Sequence, residues 1–372
     1  WLFAPRIWRT FNMATFTAVD DPQAHFQIKL YTGEHGSGSG TSAHTLDGTT
    51  DMQPDLVWIK TRSNTSSHQM HSALTAEAYH YVKPDATTTL TTSNTAALTS
   101  FNSDGFTLGS DGVINENGYT YVAWCWKANG SGSANTDGNT NTTKTSANTT
   151  AGFSMITYDG DGAAATLGHG LGDKKPKFII QKNLSDTENW QVQHGSKGAT
   201  YWATLNTTNQ FDTNSARWND TEPTTSLITI GSDSSVSQSG ENMFMLAWAE
   251  VQGYSSFGSF VGNGETGNAG NVIMTGFRPA LVIIKKSSAS GSWLIFDSKR
   301  ASTGNVPEGS TGVNSYLEHT TGTEQGDNPI IFLSNGFQCR DSLTQASGAT
   351  YIYAAWAEQP FVNSNGVPCN AR

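Results

Sequence analysis

Residues 121–127 read YVAWCWK, in which Cys125 stands between two tryptophans. A cysteine framed by aromatic side chains can be a reactive thiol, a metal ligand, part of a ligand-stacking platform or core packing. Two later stretches of the same character place Ala247 and Ala355 at the cysteine position. A position that accepts cysteine or alanine requires a small buried side chain, so we predict core packing for Cys125 and not thiol chemistry.

The best candidate for ligand binding is the polar stretch RWNDTEP at 217–223. A flat indole beside amide and carboxylate groups suits stacking on a pyranose ring while its hydroxyls are hydrogen-bonded. Trp218, Asn219 and Asp220 are therefore a candidate glycan-binding site. The alternative, that Trp218 is a loop tryptophan capping the core of a sandwich, stays open.

Metal-ligating residues are sparse. Asp159 and Asp161 lie in the turn DGDG, and carboxylate oxygens are ligands that calcium prefers. The equivalent turns elsewhere in the chain do not keep two carboxylates, so ordinary turn chemistry is favoured over a calcium site. His68 and His71 are three residues apart, but no Cys/His cluster accompanies them. We predict neither a metal nor another cofactor.

Catalytic patterns are equally weak. A polysaccharide-depolymerising enzyme would need a closely placed pair of carboxylates. Glu250 and Glu358 follow two equivalent tryptophans, but Ala128 stands at the corresponding position of the first copy. The sequence contains neither a GxSxG elbow nor a GxxxxGK[ST] loop. We predict a non-enzymatic protein and keep a depolymerase as the second alternative.

Composition narrows the function classes. Of 372 residues, 14% are charged and the net charge is −10, so no basic stripe is available to neutralise nucleic-acid phosphates. No apolar run approaches the roughly 20 residues that span a bilayer, and membrane insertion is not expected. The three cysteines are too far apart to form a zinc pattern or a disulfide framework.

An internal repeat organises the chain. The pattern Pro-x-apolar-apolar-apolar-x-Lys occurs at 54–60, 176–182 and 279–285, and eight residues after each lysine stands a ring-bearing side chain. Each copy ends on an aromatic strand with a closing tryptophan. We predict the repeated tryptophans to be core anchors, with His68 packing at the equivalent place of the first copy; the anchors are Trp126, Trp248, Trp356, Trp190 and Trp293.

Each copy begins with an aromatic-x-Gly turn, where glycine is expected to supply a positive φ. Short aromatic and β-branched runs separated by Gly, Asn and Ser clusters predict an all-β protein. We expect three tandem antiparallel β-sandwich units of jelly-roll or lectin-like type, each of about 100 residues. The predicted organisation is an N-terminal arm 1–25, unit 1 at 26–128, a polar linker or arm 129–150, unit 2 at 151–252, unit 3 at 253–361 and a C-terminal tail 362–372.

The first twelve residues have two interpretations. Trp8 and Arg9 can be encoded by a purine-rich stretch of ribosome-binding type just upstream of Met13. Residues 1–12 are then a leader read in frame, with Met13 as the native start. The alternative is an ordinary apolar N-terminal arm, because the segment lacks the continuous apolar region of a secretory signal.

Several strings together resemble a known family. They are TSFNSDGFTLG…YTYVAWCWKANG, AGFSMITYDGDG, AEVQGYSSFGSFVGNG, TGFRPALVIIKK and YIYAAWAEQPFVNSNGVPCNAR. They resemble a repeated domain of unknown function found in virion proteins of marine tailed phages, described as lectin-like or tail-fibre proteins. The resemblance covers the chain from about Ala14 to Arg372, implies a β-sandwich fold and a virion-surface role, and brings no catalytic residues.

We therefore expect a structural and adhesion protein of the virion surface, assembled in the bacterial host cytoplasm. It would build a tail or capsid fibre or decoration as a homo-oligomer, with a trimer favoured, beside other virion proteins. A lectin-like module that binds host polysaccharide is the first alternative.

Overall fold

The structure is a computed structural model of the chain, and it describes residues 17–36, 38–301, 314–327 and 329–369. The two interpretations of residues 1–12 concern a segment outside the described residues. A 3-10 turn at Pro22–Ala24 precedes the first strand, and a second one occupies Gly267–Ala269.

Strands dominate the described chain. Unit 1 contains β1 (Phe26–Thr32), β2 (Ser42–His44), β3 (Leu56–Thr61), β4 (Gln69–Ser72), β5 (Tyr81–Val82), β6 (Leu98–Asn102), β7 (Gly105–Leu108), α1 (Gly112–Asn115) and β8 (Thr120–Trp126). The linker contributes β9 (Lys144–Asn148). Unit 2 contains β10 (Phe153–Asp159), β11 (Ala165–Gly168), β12 (Pro176–Asn183), β13 (Gln191–His194), β14 (Tyr201–Thr204), β15 (Asp212–Thr213), α2 (Ser215–Trp218), β16 (Leu227–Ile230), α3 (Ser234–Ser237) and β17 (Asn242–Ala249). Unit 3 contains β18 (Ser255–Val261), β19 (Val272–Met274), β20 (Phe277–Lys286), β21 (Trp293–Ala301), β22 (Asn314–Glu318), β23 (Ile330–Leu333), β24 (Gly336–Cys339), α4 (Ser342–Gln345) and β25 (Thr350–Pro360).

Each unit has one large antiparallel sheet and one small one. The large sheets have the orders β1-β8-β3-β4-β5, β15-β14-β13-β12-β17-β10-β9 and β18-β25-β20-β21-β22. The small sheets are β2-β7-β6, β11-β16 and β19-β24-β23. In every large sheet the closing strand pairs between the first strand and the strand of the Pro-to-Lys pattern. The prediction of an all-β fold with antiparallel sandwiches is confirmed.

A one-turn helix precedes each closing strand, and the same cap begins all three helices. Asp111, Asp233 and Asp341 each accept the backbone N–H two residues ahead at 2.9 Å. Side-chain capping of this kind satisfies a donor that a short helix leaves free. The three units therefore share this helix cap in addition to the repeated aromatic residues.

The aromatic-x-Gly turns have a different cause from the predicted one. Gly33, Gly160 and Gly262 do not adopt a positive φ. A Cβ atom on any of them would lie 2.2–2.3 Å from the carbonyl oxygen of the C-cap residue that follows the short helix. The prediction of positive φ is therefore wrong, and glycine is required because two backbone segments approach closely.

The closing strands are covered on both faces, as continuous apolar strands should be. In β8, the side chains of Tyr121, Ala123 and Cys125 face the interior of the unit 1 sandwich. The alternate side chains, including Trp124 and Trp126, belong to a central core shared by all three units. The units therefore surround a common core and are not strung out along a line.

Three tryptophans meet at the middle of this central core. The rings of Trp126, Trp248 and Trp356 are 5.6–5.9 Å apart in all three pairs, each in a T-shaped arrangement. Edge-to-face pairs of this geometry are favourable beyond the area that they bury. All three indoles are at most 2% exposed. Their equal spacing gives the chain an approximate threefold axis, with one unit per position.

Hydrogen bonds between units repeat around this axis. The backbone N–H groups of Leu90, Phe211 and Glu324 each donate to a carbonyl of another unit, at 2.8, 3.2 and 2.9 Å. The acceptors lie two residues after the repeated lysine; they are Leu184, Ser287 and Arg62. Unit 1 thus contacts unit 2, unit 2 contacts unit 3 and unit 3 contacts unit 1. The ring of interfaces is closed within one chain.

The linker is an ordered part of unit 2. Its strand β9 pairs antiparallel with β10, with Asn148 opposite Phe153. Before that strand, the N–H of Thr140 donates to the carbonyl of Thr166 on β11 at 3.2 Å. The linker therefore covers the outer edges of both sheets at one side of unit 2.

Candidate functional site

The predicted glycan site does not offer the expected stacking face. Trp218 ends helix α2, is 0% exposed and belongs to the sandwich core of unit 2. An indole without an exposed face cannot stack on a sugar ring, so the prediction for Trp218 is corrected to a core residue. Asn219 and Asp220 are exposed beside it, with φ of 50° and 47°. Asn219 serves as the left-handed C-cap of α2, a position that asparagine tolerates well.

The candidate calcium turn is occupied by local hydrogen bonds. The carboxylate of Asp161 accepts the N–H of Ala163 at 2.9 Å and the hydroxyl of Ser237 at 3.2 Å. Asp159 is the last residue of β10 and is exposed. Across the described ranges, no group of three or more His, Cys, Asp or Glu side chains is placed to hold a metal ion.

Cys125 lies where the sequence comparison predicts it. The side chain is 0% exposed between β1 and β3, and burial raises the pKa of its thiol well above the ordinary value. A thiol without solvent access or a thiolate form is a poor nucleophile. Cys369, near the end of the described chain, is by contrast partly exposed.

The repeated lysines of the Pro-to-Lys pattern lie inside the molecule in all three units. Lys60, Lys182 and Lys285 are all 0% exposed, and burial lowers the pKa of each to about 8. Their ammonium groups donate to backbone carbonyls. Lys285 reaches Thr208 of unit 2 at 3.0 Å, and Lys60 reaches Thr321 of unit 3 at 3.4 Å. Lys60 and Lys285 therefore link two units each, whereas Lys182 donates to the carbonyls of Asn183 and Asp186 within unit 2.

The ring positions that follow the lysines also act between units. Trp190 donates its indole N–H to the carbonyl of Lys83 in unit 1 at 2.8 Å, and Trp293 donates to Thr204 in unit 2 at 2.9 Å. At the equivalent place, His68 accepts a hydrogen bond from Trp58, so its other ring nitrogen carries the proton. That nitrogen lies 3.0 Å from the carbonyl of Glu318 in unit 3.

Two more side chains close the same ring of interfaces. His194 lies 3.0 Å from the carbonyl of Tyr353 in unit 3, and burial lowers its pKa to about 4. At the equivalent register position of unit 3, Asp297 accepts the indole N–H of Trp124 at 3.0 Å. The same carboxylate forms a fully buried ion pair with Arg300 at 2.6 Å. The two contacts between units could not be assigned from sequence, because their partners are 159 and 173 residues apart.

One open polar cleft lies where units 2 and 3 meet. It has a volume of about 560 Å³ and is lined by Lys177, Glu250, Gln252, Gly253, Ser255, Thr275 and Gly276. Partial burial raises the pKa of Glu250, and the nearby Lys177 ammonium and the Phe257 N–H oppose that rise. The equivalent Glu358 is instead held by Arg278 at 2.7 Å. The cleft thus offers one carboxyl, one ammonium, an amide and the Thr275 hydroxyl to a polar ligand, while the buried Ser255 hydroxyl donates to the Ala249 carbonyl.

In the described part of the chain, no helix is long and apolar enough to cross a membrane.

Searches with the whole sequence found no matching curated protein and no matching solved structure. One family does match, over residues 21–360, which include every element of the three large and three small sheets. The chain accordingly belongs to the family described as a domain of unknown function, DUF7483.

Proposed function

We propose that the protein is a non-enzymatic structural and adhesion protein on the surface of a marine tailed-phage virion. There it builds a tail or capsid fibre or decoration and contacts the host surface. The observation that carries this proposal is the central core closed by Trp126, Trp248 and Trp356. Three sandwiches that share one core and a closed ring of hydrogen bonds hold a fixed shape, which a component exposed outside the cell requires.

The surface composition supports the same role. With 14% charged residues and a net charge of −10, the chain relies on Ser, Thr and Asn for its polar surface. Such a surface depends little on ion pairs, which are screened within about 3–10 Å in salt solutions. The virion context comes from the resemblance of the sequence strings. Other virion proteins are the proposed partners, and the expected homotrimer stays a prediction.

Purified particles of the phage that carries the gene provide the test. Quantitative mass spectrometry should find the protein at a fixed copy number in gradient-purified virions. A phage replication enzyme from the same lysate controls for carry-over. Recovery of the protein only at the level of that control would refute the proposed virion role.

A second candidate function, glycan binding, is favoured by the cleft between units 2 and 3. Sugar hydroxyls pair well with carboxylates, amides and hydroxyls, and Glu250, Gln252 and Thr275 supply all three. The cleft lacks an aromatic platform among its lining residues, so selectivity would come from hydrogen bonds.

Titration with host polysaccharide fragments distinguishes the two candidates. If the cleft binds them, Glu250→Gln should weaken binding by about tenfold, since a charged acceptor is lost. Glu358→Gln, at the equivalent position outside the cleft, is the matched control. Equal binding by both variants would exclude the cleft as the glycan site.

A further inference from the structure

Unit 3 differs from the other units in its exposed apolar side chains. Val261, Val272 and Met274 are 59%, 51% and 61% exposed. Among the described residues, the other exposed large apolar side chains are Tyr119 in unit 1, at 37%, and, after β25, Phe361 and Val367, at 37% and 55%. No residue of unit 2 is in this set. An exposed apolar cluster that is confined to one of three similar units requires an explanation.

The three side chains lie on neighbouring sheet edges. Val261 is the last residue of β18, the edge strand of the large sheet, and Val272 and Met274 lie on β19, the edge strand of the small sheet. The side-chain amide of Asn271 donates to the carbonyl of Val261 at 2.6 Å, which joins the end of β18 to the start of β19. We call these three residues the unit 3 edge.

The equivalent edge of unit 2 is covered by a strand-like segment of the same chain. Thr166 on β11 and Val272 on β19 are at equivalent positions. Each comes directly after the residue that pairs with the neighbouring strand at an equivalent place, which is Ile230 in unit 2 and Cys339 in unit 3. The N–H of Thr166 donates to the side chain of Asn139 at 2.6 Å. Its carbonyl accepts from the linker backbone at 3.2 Å. In unit 2, therefore, this fold already binds an extended segment at this place.

Apart from the shortness of β19, which has three residues, the unit 3 edge lacks the features that usually keep sheet edges apart. Strands β18 and β19 read SSFGSFV and VIM, without a charged residue or a proline. Unpaired edges that lack charge, proline or a bulge are templates for pairing with another chain. The linker cannot serve here, because β9 holds it on unit 2.

We propose that the unit 3 edge is the contact between two copies of this chain. The copies pair antiparallel through β19 about a twofold axis at Ile273, so that Val272 of one copy lies opposite the partner's Met274. Such a contact is isologous, and the apolar strip meets an identical strip. Although each copy has a net charge of −10, the paired strands carry no charge and therefore do not repel each other. The inference rests on the structural role proposed above and specifies a self-association surface; an isologous contact closes a dimer, so a dimer takes the place of the expected homotrimer.

Sedimentation velocity of the full chain over a hundredfold concentration range tests the contact. The wild-type protein should dimerise reversibly, and Val272→Asp or Met274→Asp should weaken the dimer at least about a hundredfold by burying an unpaired charge. Ala43→Asp is the matched control, since Ala43 holds the equivalent exposed position of unit 1 on β2. Circular dichroism and the melting temperature verify that each variant is folded.

A crosslinking experiment tests the register. In a Cys369→Ser background, the double variant Val272→Cys/Met274→Cys should form a disulfide-linked dimer on mild oxidation, and the single variants should not. Residues directly opposite in an antiparallel pair are about 4.5–5.5 Å apart between Cα atoms, which a disulfide can bridge. A wild-type monomer at all concentrations overturns the proposal, as does an oligomer that survives Val272→Asp. Neither result bears on whether the protein is found in virions, so the two proposals can fail separately.

Discussion

The two faces of strand β8 have different functions in this molecule. The face toward the central core carries Trp124 and Trp126, which contact other units through an Asp297 hydrogen bond and the three-way indole cluster. The face toward the sandwich carries Ala123 and Cys125, which pack only within unit 1. The first face determines how units are arranged, and the second fills one sandwich.

The first face carries one residue that repeats in every unit, whereas the neighbouring residue on the second face varies. The closing tryptophan recurs in all three units because its indole has to meet two copies of itself. On the other face, Ala247 and Ala355 stand at the position of Cys125, so the side chain there varies between units. Substitutions on the two faces should therefore differ in size and in how far their effects spread.

The largest effect is expected for Trp126→Ala, which should lower the free energy of unfolding by about 3–5 kcal/mol. Because the indole touches Trp248 and Trp356, hydrogen exchange should accelerate in the large sheets of all three units. Trp218→Ala, in the core of unit 2 alone, is the matched control and should accelerate exchange there only. If both variants give the same exchange pattern, the central core does not couple the units.

Acid should weaken the interface between units 2 and 3 through His194. Its pKa is about 4 in the folded protein and about 6.5 in an unfolded chain, so the unfolded state binds the proton first as the pH falls. The stabilisation is complete above pH 6.5 and should decline by about 3 kcal/mol as the pH falls to about 4.

Chemical denaturation at neutral and acidic pH measures this decline. His194→Gln keeps a donor for the Tyr353 carbonyl but does not titrate, so its stability should fall less than that of the wild type. His35→Gln, in a surface loop, should follow the wild type. Identical pH profiles for all three proteins would contradict the assignment.

A smaller effect is expected for Trp293→Phe, about 1–3 kcal/mol, because the Thr204 carbonyl loses its indole donor. Trp202→Phe is the matched control, because Trp202 packs against the sandwich core of unit 2 alone. The Trp202 indole N–H has no hydrogen-bond partner, so its removal should cost less. Thermal or urea denaturation gives both values, and a larger loss for Trp202→Phe would reverse the predicted order.

The smallest effect is expected for Cys125→Ala, below about 1 kcal/mol, since two units already carry alanine at this position. Native Cys125 should react slowly with thiol reagents, and the partly exposed Cys369 is the internal control. Labelling of both at the same rate in the folded protein would show that the sandwich interior opens.

Much of the local structure could be predicted from the sequence. The Pro-to-Lys pattern identified β3, β12 and β20, and the closing motifs identified β8 and β17 because continuous apolar runs require burial on both faces. The short helices were missed. Their signal was an aspartate followed seven residues later by a glycine, at Asp111, Asp233 and Asp341, and four-residue helices are too short to show a helical period.

The ligand sites were less predictable. A tryptophan between polar neighbours has the same sequence pattern whether its side chain is exposed or buried. Only the tertiary packing shows that Trp218 lies in the core. The cleft beside Glu250 could not be foreseen, because its walls come from two units that meet through long-range contacts.

The sequence by itself determined the strands, the repeat and the residues that must be buried, since these depend on periodicity and side-chain chemistry along one segment. Only the tertiary structure decided that Trp126, Trp248 and Trp356 form a single cluster and that the units close into a ring. It also decided that one unit is covered by the linker while another has a bare edge. These features depend on which surfaces meet in space. The sequence cannot decide this, because every arrangement that buries both faces of a strand requires the same local hydrophobic pattern.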